Sequence, residues 1–144
     1  MNTDNLSLLM HERFDAAAQA DITPLTEKTE DALGEAMCPM KAMMQISIAI
    51  DEIYSNIVKY GYREMSGPVD VSLYEQREPH AFVMSFSDEA PAFDPLSNKD
   101  PDITLSAEER GIGGLGLFIV KKSMDRVEYR YENGKNVLTI TKNV

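Results

Sequence analysis

A glycine-rich stretch in the last third of the chain limits the possible folds more than any other feature. Four glycines fall within six residues, and the apolar run Leu117-Phe118-Ile119-Val120 follows at once. Glycine permits positive φ angles and lets a charged ligand approach bare backbone N–H groups. A helix that begins at such a loop directs its unpaired N–H groups and its positive dipole end into it. The stretch therefore predicts either an anion site, most often for phosphate, or a glycine hinge ahead of a core helix.

Length and composition favour a single globular domain. The chain has 144 residues, of which 43% are hydrophobic and 26% are charged. This is enough for one full core and too little for two comfortable ones, so we expect one domain over residues 1–144. The net charge of -10 and the lack of a long Lys/Arg cluster argue against direct nucleic-acid binding. The partner should be a protein or a small molecule.

Cysteine usage and hydropathy favour the cytoplasm. A single cysteine, Cys38, and two histidines exclude a disulfide framework and a Cys/His metal site. Residues 1–30 carry no basic region followed by an apolar stretch, and no apolar run reaches the roughly 18 residues of a membrane span. We therefore expect a cytoplasmic protein with no membrane contact.

Hydrophobic spacing predicts an α+β chain. We expect helices over about residues 21–37 and 40–60, because apolar residues recur there every three or four positions. Alternating residues predict one hairpin over 69–86 and a second over 127–142, around the turn at Asn133-Gly134. A third helix should begin at the glycines, between the hairpins. These elements predict a two-layer α/β sandwich with helices on one face of a mostly antiparallel sheet.

Three features of the chain are less regular. The second helix is expected to end at Gly61, and residues 1–20 are expected to form either an N-terminal arm or an edge strand. Residues 88–110 contain three prolines and show no periodicity. Long irregular loops are uncommon in compact domains and are often functional. Because this one leads into the glycines, we expect a lid over a bound phosphate compound, against the alternative of an ordinary surface loop.

Three short sequence motifs with polar or glycine residues follow one another in the chain. Glu52 and Asn56 lie one helical turn apart on the polar side of the second helix, Asp88 ends a strand, and the glycine loop comes third. A polar pair on a helix is by itself typical of a solvated face. The three motifs in this order resemble the sequence boxes of the GHKL ATPase superfamily, whose nucleotide-binding module is the Bergerat fold. They are most similar to its bacterial anti-sigma-factor serine/threonine kinases.

The resemblance covers the chain from about residue 40 to the C-terminus. Its boxes are DEIYSNIVKYGY over residues 51–62, DEAPAFDP over 88–95 and ERGIGGLGL over 109–117. The final segment, residues 136–142, is also similar to the family.

The resemblance implies a role for each marked residue. Asn56 would hold Mg²⁺ through its amide oxygen, and Glu52 would be the general base beside the terminal phosphate of ATP. Asp88 would accept a hydrogen bond from the exocyclic amine of adenine, which excludes guanine because a carboxylate cannot accept from a carbonyl. Arg110 is either a charge contact to the terminal phosphate or a solvated arginine. The other nucleotide-binding positions are Ala90, Gly111, Gly113, Gly114, Leu115 and Gly116.

The chain departs from the family pattern at two places. Ala90 stands where the second box commonly has glycine, and its methyl group is expected to crowd the nucleotide or to change the backbone turn. Tyr60 stands where the family often has histidine, which we interpret as a packing difference. Neither change removes a proposed reacting group.

The resemblance implies an ATP-dependent protein kinase with a protein partner. It would transfer the γ-phosphate to a serine or threonine of a small anti-anti-sigma (STAS-domain) protein and could sequester a sigma factor, and it would be a homodimer. Two alternatives remain open. One is a non-catalytic GHKL module that acts by docking, and the other is the catalytic piece of a sensor histidine kinase, prompted by His11.

Overall fold

The computed structural model describes residues 5–97 and 114–144. Two short 3-10 turns lie at Gln19–Asp21 and Pro95–Ser97, and a π-helical turn lies at Ile57–Tyr62. In chain order the longer elements are β1 (Leu6–Phe14), α1 (Ile22–Glu35), α2 (Met40–Asn56), β2 (Val69–Gln76), β3 (Ala81–Asp88), α3 (Gly114–Ser123), β4 (Arg126–Glu132) and β5 (Lys135–Asn143).

The five strands form one antiparallel sheet in the order β1-β2-β3-β5-β4. Both predicted hairpins are present, and β3 and β5 join them at the centre of the sheet. The turn between β4 and β5 has positive φ angles at Asn133 and Gly134, as the Asn-Gly pair predicts. The β3–β5 register places Phe86 opposite Leu138 and Asp88 opposite Asn136. These four side chains therefore share one face of the sheet.

The helices cover that same face of the sheet. Along β2, the buried residues Val69, Val71 and Leu73 alternate with half-exposed ones. From α2, Ile46 and Ile50 join them in one hydrophobic core. Burying this apolar surface is the main favourable term in folding, so the alternation on the strand and the three-to-four spacing on the helix select the same interior. The predicted α+β sandwich is confirmed.

The N-terminal segment forms an edge strand, which decides between the two expectations for residues 1–20. β1 pairs with β2, and a bulge lies between Leu8 and Met10. At the end of β1, the ring of Phe14 packs edge-on against Tyr54 of α2, with 5.7 Å between ring centroids. β1 therefore belongs to the sheet and contributes to the core.

The second helix was expected to end at Gly61, and helical backbone continues to Tyr62, but its last six residues are π-helical. The α-helix ends at Asn56, and the chain continues through the π-helical turn Ile57–Tyr62, so Gly61 lies inside this turn. A wider turn changes the direction of the side chains that follow it, and such turns are frequent at functional sites. Over the described ranges, none of the helices is both long and apolar enough to cross a membrane.

Candidate functional site

A large cavity opens between the helical layer and the ends of the central strands. Its volume is about 1310 Å³, above the roughly 300–1,000 Å³ typical of small-molecule sites. Three predicted site residues, Asn56, Asp88 and Ala90, line it. Its apolar walls include Ile53, Phe86, Leu117 and Leu138.

Asp88 places a buried carboxylate in the wall of this cavity. It is the last residue of β3 and is 7% exposed. Its Oδ1 accepts hydrogen bonds from the Ala90 backbone N–H at 3.0 Å and from Asn136 Nδ2 at 2.9 Å. Burial raises the pKa of Asp88, and these two hydrogen bonds partly offset that rise. Within the described part of the chain both bonds use Oδ1, which leaves Oδ2 able to accept from a ligand.

Ala90 is buried against Gly61 of the π-helical turn. Its Cβ lies 3.5 Å from the position that a Cβ on residue 61 would occupy, which is ordinary van der Waals contact. The described non-glycine residues with positive φ are Met37, Arg63 and Asn133, so Ala90 does not adopt a conformation reserved for glycine. The expected change in the backbone turn stays a prediction. Crowding of a nucleotide by the methyl group stays a prediction.

Glu52 and Asn56 lie on α2 where it meets α3. Asn56, the last residue of α2, is half-buried and lines the cavity. Glu52 is also half-buried, and its carboxylate contacts Gly116, the third residue of α3. A Cβ on residue 116 would lie 2.7 Å from Glu52 Cδ, so this approach requires glycine. A carboxylate at the first turn of a helix faces the free N–H groups and the positive end of the helix dipole.

The glycine-rich stretch is partly described. Gly114 and Leu115 are the first two residues of α3, as the predicted helix start requires. Arg110, Gly111 and Gly113 lie outside the described residues. The predicted lid, residues 88–110, is described only as far as Ser97.

The structure adds a site residue that the sequence analysis did not propose. Asn136 of β5 is 7% exposed, lines the cavity and donates through Nδ2 to Asp88 Oδ1. It is the first buried position after the Asn133-Gly134 turn. A polar residue at an inward position of a strand was the available signal, but only the β3–β5 register shows that it faces Asp88.

Tyr62 and Arg63 also line the cavity and were not proposed from the sequence. The Tyr62 hydroxyl donates to the Pro68 carbonyl at 2.7 Å and accepts from the Glu89 backbone N–H at 2.8 Å. It therefore ties the π-helical turn to the end of β3. Arg63 has φ 57° and ψ -120°, a conformation that is costly for an L-residue and that concentrates at functional sites.

His11, the residue behind the histidine-kinase alternative, lies on β1. Its register partner is Ser72, whose β2 neighbours Val71 and Leu73 point into the core. His11 therefore faces the side of the sheet opposite the helices, where its Nε2 lies 3.2 Å from Asp70 Oδ1. This position separates His11 from the cavity.

The chain is similar to a protein family, to individual named proteins and to solved structures. Residues 16–142 match the family described as the histidine kinase-like ATPase domain. The serine-protein kinase RsbW of Listeria monocytogenes is 31% identical over 105 residues, which cover 68% of this chain and 64% of that protein. The serine/threonine-protein kinase BtrW of Bordetella bronchiseptica is 25% identical over 96 residues, 67% of each chain. The chain thus spans less than two thirds of the Listeria relative.

Two solved structures share the fold. The RsbU and RsbW domains from Mycobacterium tuberculosis align with a TM-score of 0.65 at 15% identity, covering 93% of this chain and 32% of that one. The SiaB–SiaC complex from Pseudomonas aeruginosa aligns with a TM-score of 0.60 at 13% identity, covering 95% of this chain and 91% of that one. At these identities the likeness concerns the fold alone.

The family match contains every predicted site residue and extends from residue 16, ahead of α1, almost to the end of β5. It agrees with the GHKL resemblance of the three sequence boxes and with the α+β sandwich of the structure. The chain belongs to the histidine kinase-like ATPase domain family.

Proposed function

We propose that this protein is an ATP-dependent serine/threonine protein kinase of the anti-sigma-factor type. The observation that carries the proposal is that Asp88 and Asn56 line one cavity, while Glu52 lies one helical turn before Asn56 and contacts α3. Asp88 lies in the cavity wall at the end of β3, Asn56 lies at the end of α2, and Glu52 lies one turn earlier against α3. In this proposal, Asp88 marks the end of the site that would bind the base, and Asn56 and Glu52 mark the end that would bind the phosphates.

The base-binding end fits adenine. Asp88 Oδ2 would accept a hydrogen bond from the exocyclic amine, while Phe86 and Leu138 supply apolar surface for the ring. Guanine carries a carbonyl at the same place, and a carboxylate repels it. The buried carboxylate is thus a reason to expect ATP rather than GTP.

The phosphate-binding end fits an anion held with a hard cation. When bound, Mg·ATP supplies a terminal phosphoryl group that can be transferred. The Asn56 amide oxygen would hold the Mg²⁺, and the N–H groups of Gly111, Gly113, Gly114 and Gly116 would bind phosphate oxygens. Glu52 would accept the proton of the attacking serine or threonine hydroxyl. The hydroxyl oxygen would then bond to the γ-phosphorus, while the bond between that phosphorus and the ADP oxygen breaks. The contact between Glu52 and Gly116 supports this pairing of base and phosphate site.

The proposed protein substrate is a small anti-anti-sigma protein with a STAS domain. Support comes from relatives named serine-protein kinase and from a structural neighbour solved as a complex of two proteins. Binding of a sigma factor, a homodimeric state and a cytoplasmic location are parts of the same proposal. The net charge of -10 suits a basic partner surface through electrostatic steering.

The experiment that tests the proposal has a binding part and a transfer part. Isothermal titration with Mg·ATP should give micromolar binding that is lost with GTP and in Asn56→Ala. With a STAS-domain protein from the same organism, Glu52→Gln should lower kcat about 100- to 10,000-fold and leave ATP affinity unchanged. The matched control is Asp51→Asn, an exposed neighbour on the same helix, which should behave as wild type. Equal transfer by wild type and Glu52→Gln would contradict the proposed base.

Ala90 favours one alternative, a module that docks a partner without using nucleotide. Its methyl group lines the cavity at a position where the family commonly has glycine. No ATP binding by wild type, together with ATP binding by Ala90→Gly, would support this alternative. The substrate protein can also be treated with acid after the reaction. Phosphate that stays on it would exclude the histidine-kinase alternative, because phosphohistidine is hydrolysed in acid.

A further inference from the structure

Asn136 lines the cavity and makes hydrogen bonds through both ends of its side-chain amide. Its Nδ2 donates to Asp88 Oδ1 at 2.9 Å, to the Ala90 carbonyl at 3.0 Å and to the Pro91 carbonyl at 3.2 Å. Its Oδ1 accepts from the Phe93 backbone N–H at 3.1 Å and from the Tyr129 hydroxyl. An amide offers two donor hydrogens and two acceptor lone pairs, so both ends of this side chain are fully used.

Burying the Asn136 amide at this position costs free energy that an apolar side chain would not cost. The next residues on the same face of β5, Leu138 and Ile140, are apolar and buried. An apolar residue of similar size at 136 would avoid the desolvation of an amide. Each bond of Asn136 instead reaches a residue that lines the cavity, which is Asp88, the segment that leaves β3, or Tyr129 of β4.

The Asp88 carboxylate can rotate about its terminal torsion unless something holds it. The Ala90 N–H and Asn136 Nδ2 both bond Oδ1, which fixes the plane of the carboxylate and turns Oδ2 away from them. The bonds to Ala90, Pro91 and Phe93 hold the outgoing segment against the same side chain. One residue thus restrains both the base acceptor and the start of the segment beside it.

We propose that Asn136 is a positioning residue for purine selectivity, which acts by aiming the Asp88 carboxylate and by holding the Ala90–Phe93 segment beside the base. It acts through Asp88 and does not itself contact the base. The inference rests on the proposed ATP-binding function, and it adds a determinant of selectivity that none of the three sequence boxes contains.

Asn136→Asp is the sharpest variant, because it keeps the size and the acceptor oxygen for Phe93 and Tyr129. It replaces the donor that faces Asp88 by a second carboxyl group, and two carboxyl groups this close share one proton, so the ionised acceptor that Asn136 holds in place is lost. The probe pair is ATP and inosine triphosphate, which differ at the purine 6 position by an amine against a carbonyl. The matched control is Thr139→Val, a buried position on the same strand that faces the other side of the sheet.

Wild type and Thr139→Val should prefer ATP over inosine triphosphate about 10- to 100-fold in Kd, the value of a charge-assisted hydrogen bond. Asn136→Asp should lower this preference below about 3-fold and raise KM for ATP at least 10-fold, with kcat at saturating ATP within about 2-fold of wild type. A residue needed only for folding would lower the melting temperature without changing the ratio of the two Kd values. Folded Asn136→Asp with the wild-type preference would overturn the inference.

A second variant covers the case in which Asn136→Asp does not fold. Tyr129→Phe removes only the hydroxyl that donates to Asn136 Oδ1. It should reduce the ATP preference several-fold, and an unchanged preference in this variant would also overturn the inference. Failure of wild type to bind ATP overturns the proposed function and the inference with it. ATP binding without any preference over inosine triphosphate overturns the inference alone.

Discussion

Asp88 shows at the scale of one residue how a functional group opposes stability. Burial raises its pKa, and the hydrogen bonds from Asn136 and Ala90 offset only part of that rise. The folded state therefore holds the Asp88 proton more tightly than the unfolded state does. The resulting stabilisation is present at acid pH, below the ordinary Asp range, and it is lost as pH rises through the folded-state pKa. At neutral pH the ionised carboxylate lowers the free energy of unfolding.

Asp88→Asn should therefore separate binding from stability. The amide keeps an oxygen for the Ala90 and Asn136 donors and removes the buried charge, so the free energy of unfolding at pH 7 should equal or exceed that of wild type. The advantage of the variant should grow between about pH 3 and pH 7, as followed by urea unfolding. ATP binding should weaken about 10- to 100-fold. A variant that loses stability relative to wild type as pH rises would contradict this account.

At the scale of elements, the turn that follows α1 holds Met37 in a left-handed backbone conformation that suits glycine better than methionine. Met37 has φ 61°, and its N–H donates to the Gly34 carbonyl at 3.0 Å. The next N–H, that of Cys38, donates to the Leu33 carbonyl at 2.9 Å. This is a Schellman motif, whose left-handed position is usually glycine. The Met37 side chain is 86% exposed, so it gains little from packing in return.

Met37→Gly should stabilise the protein by about 0.5–1 kcal/mol. Relief of the left-handed conformation is worth about 1–2 kcal/mol, and the greater freedom of glycine in the unfolded chain removes part of this gain. The matched control is Met44→Gly, an exposed methionine within α2, which should lose about 1 kcal/mol. Urea unfolding of both variants checks the prediction. Equal losses in the two would show that the cap conformation does not matter.

The contact between α2 and α3 gives a second prediction at this scale. Gly116→Ala should displace the Glu52 carboxylate, because the added Cβ would overlap it. With a protein substrate, kcat should fall at least about 10-fold if Glu52 is the base. A double-mutant cycle with Glu52→Ala measures the clash directly. Gly116→Ala should be more stabilising in the Glu52→Ala background, by about 0.5–2 kcal/mol, and additive effects would exclude the contact.

At the scale of the whole molecule, the sheet extends beyond the region that matches the family. The match begins at residue 16, whereas β1 ends at Phe14 and pairs along the full length of β2. Leu9, Met10 and Phe14 pack against the core from this strand. β1 also covers the edge of β2, whose unpaired backbone groups would otherwise be open to other chains.

Removal of residues 1–15 should therefore weaken the whole fold. Loss of three partly buried side chains should lower the free energy of unfolding by roughly 3 kcal/mol, and the open edge of β2 should promote association. Urea unfolding and light scattering measure the two effects, with removal of residues 1–4 as the control. A truncated protein within about 1 kcal/mol of the full chain would show that β1 is dispensable.

Local patterns were sufficient for much of the fold. The alternation in β2 and β3, the Asn133-Gly134 turn and the spacing along α2 each predict an element from residues close in sequence. The π-helical turn after Asn56 was missed, because a widened turn has the same apolar spacing as the end of an ordinary helix. The edge-strand position of β1 stayed open for another reason, since pairing with β2 depends on residues about 60 positions away.

The sequence by itself determined the types of most elements, the family and the residue types at the proposed site, because each depends on short-range spacing or on a linear motif. Only the tertiary structure decided which of these residues meet. Asn136 reaches Asp88 across 48 positions of the chain, and Glu52 reaches Gly116 across two packed helices. The physical reason is that sheet register and helix packing are set by the whole core, whereas a motif records only its own neighbourhood.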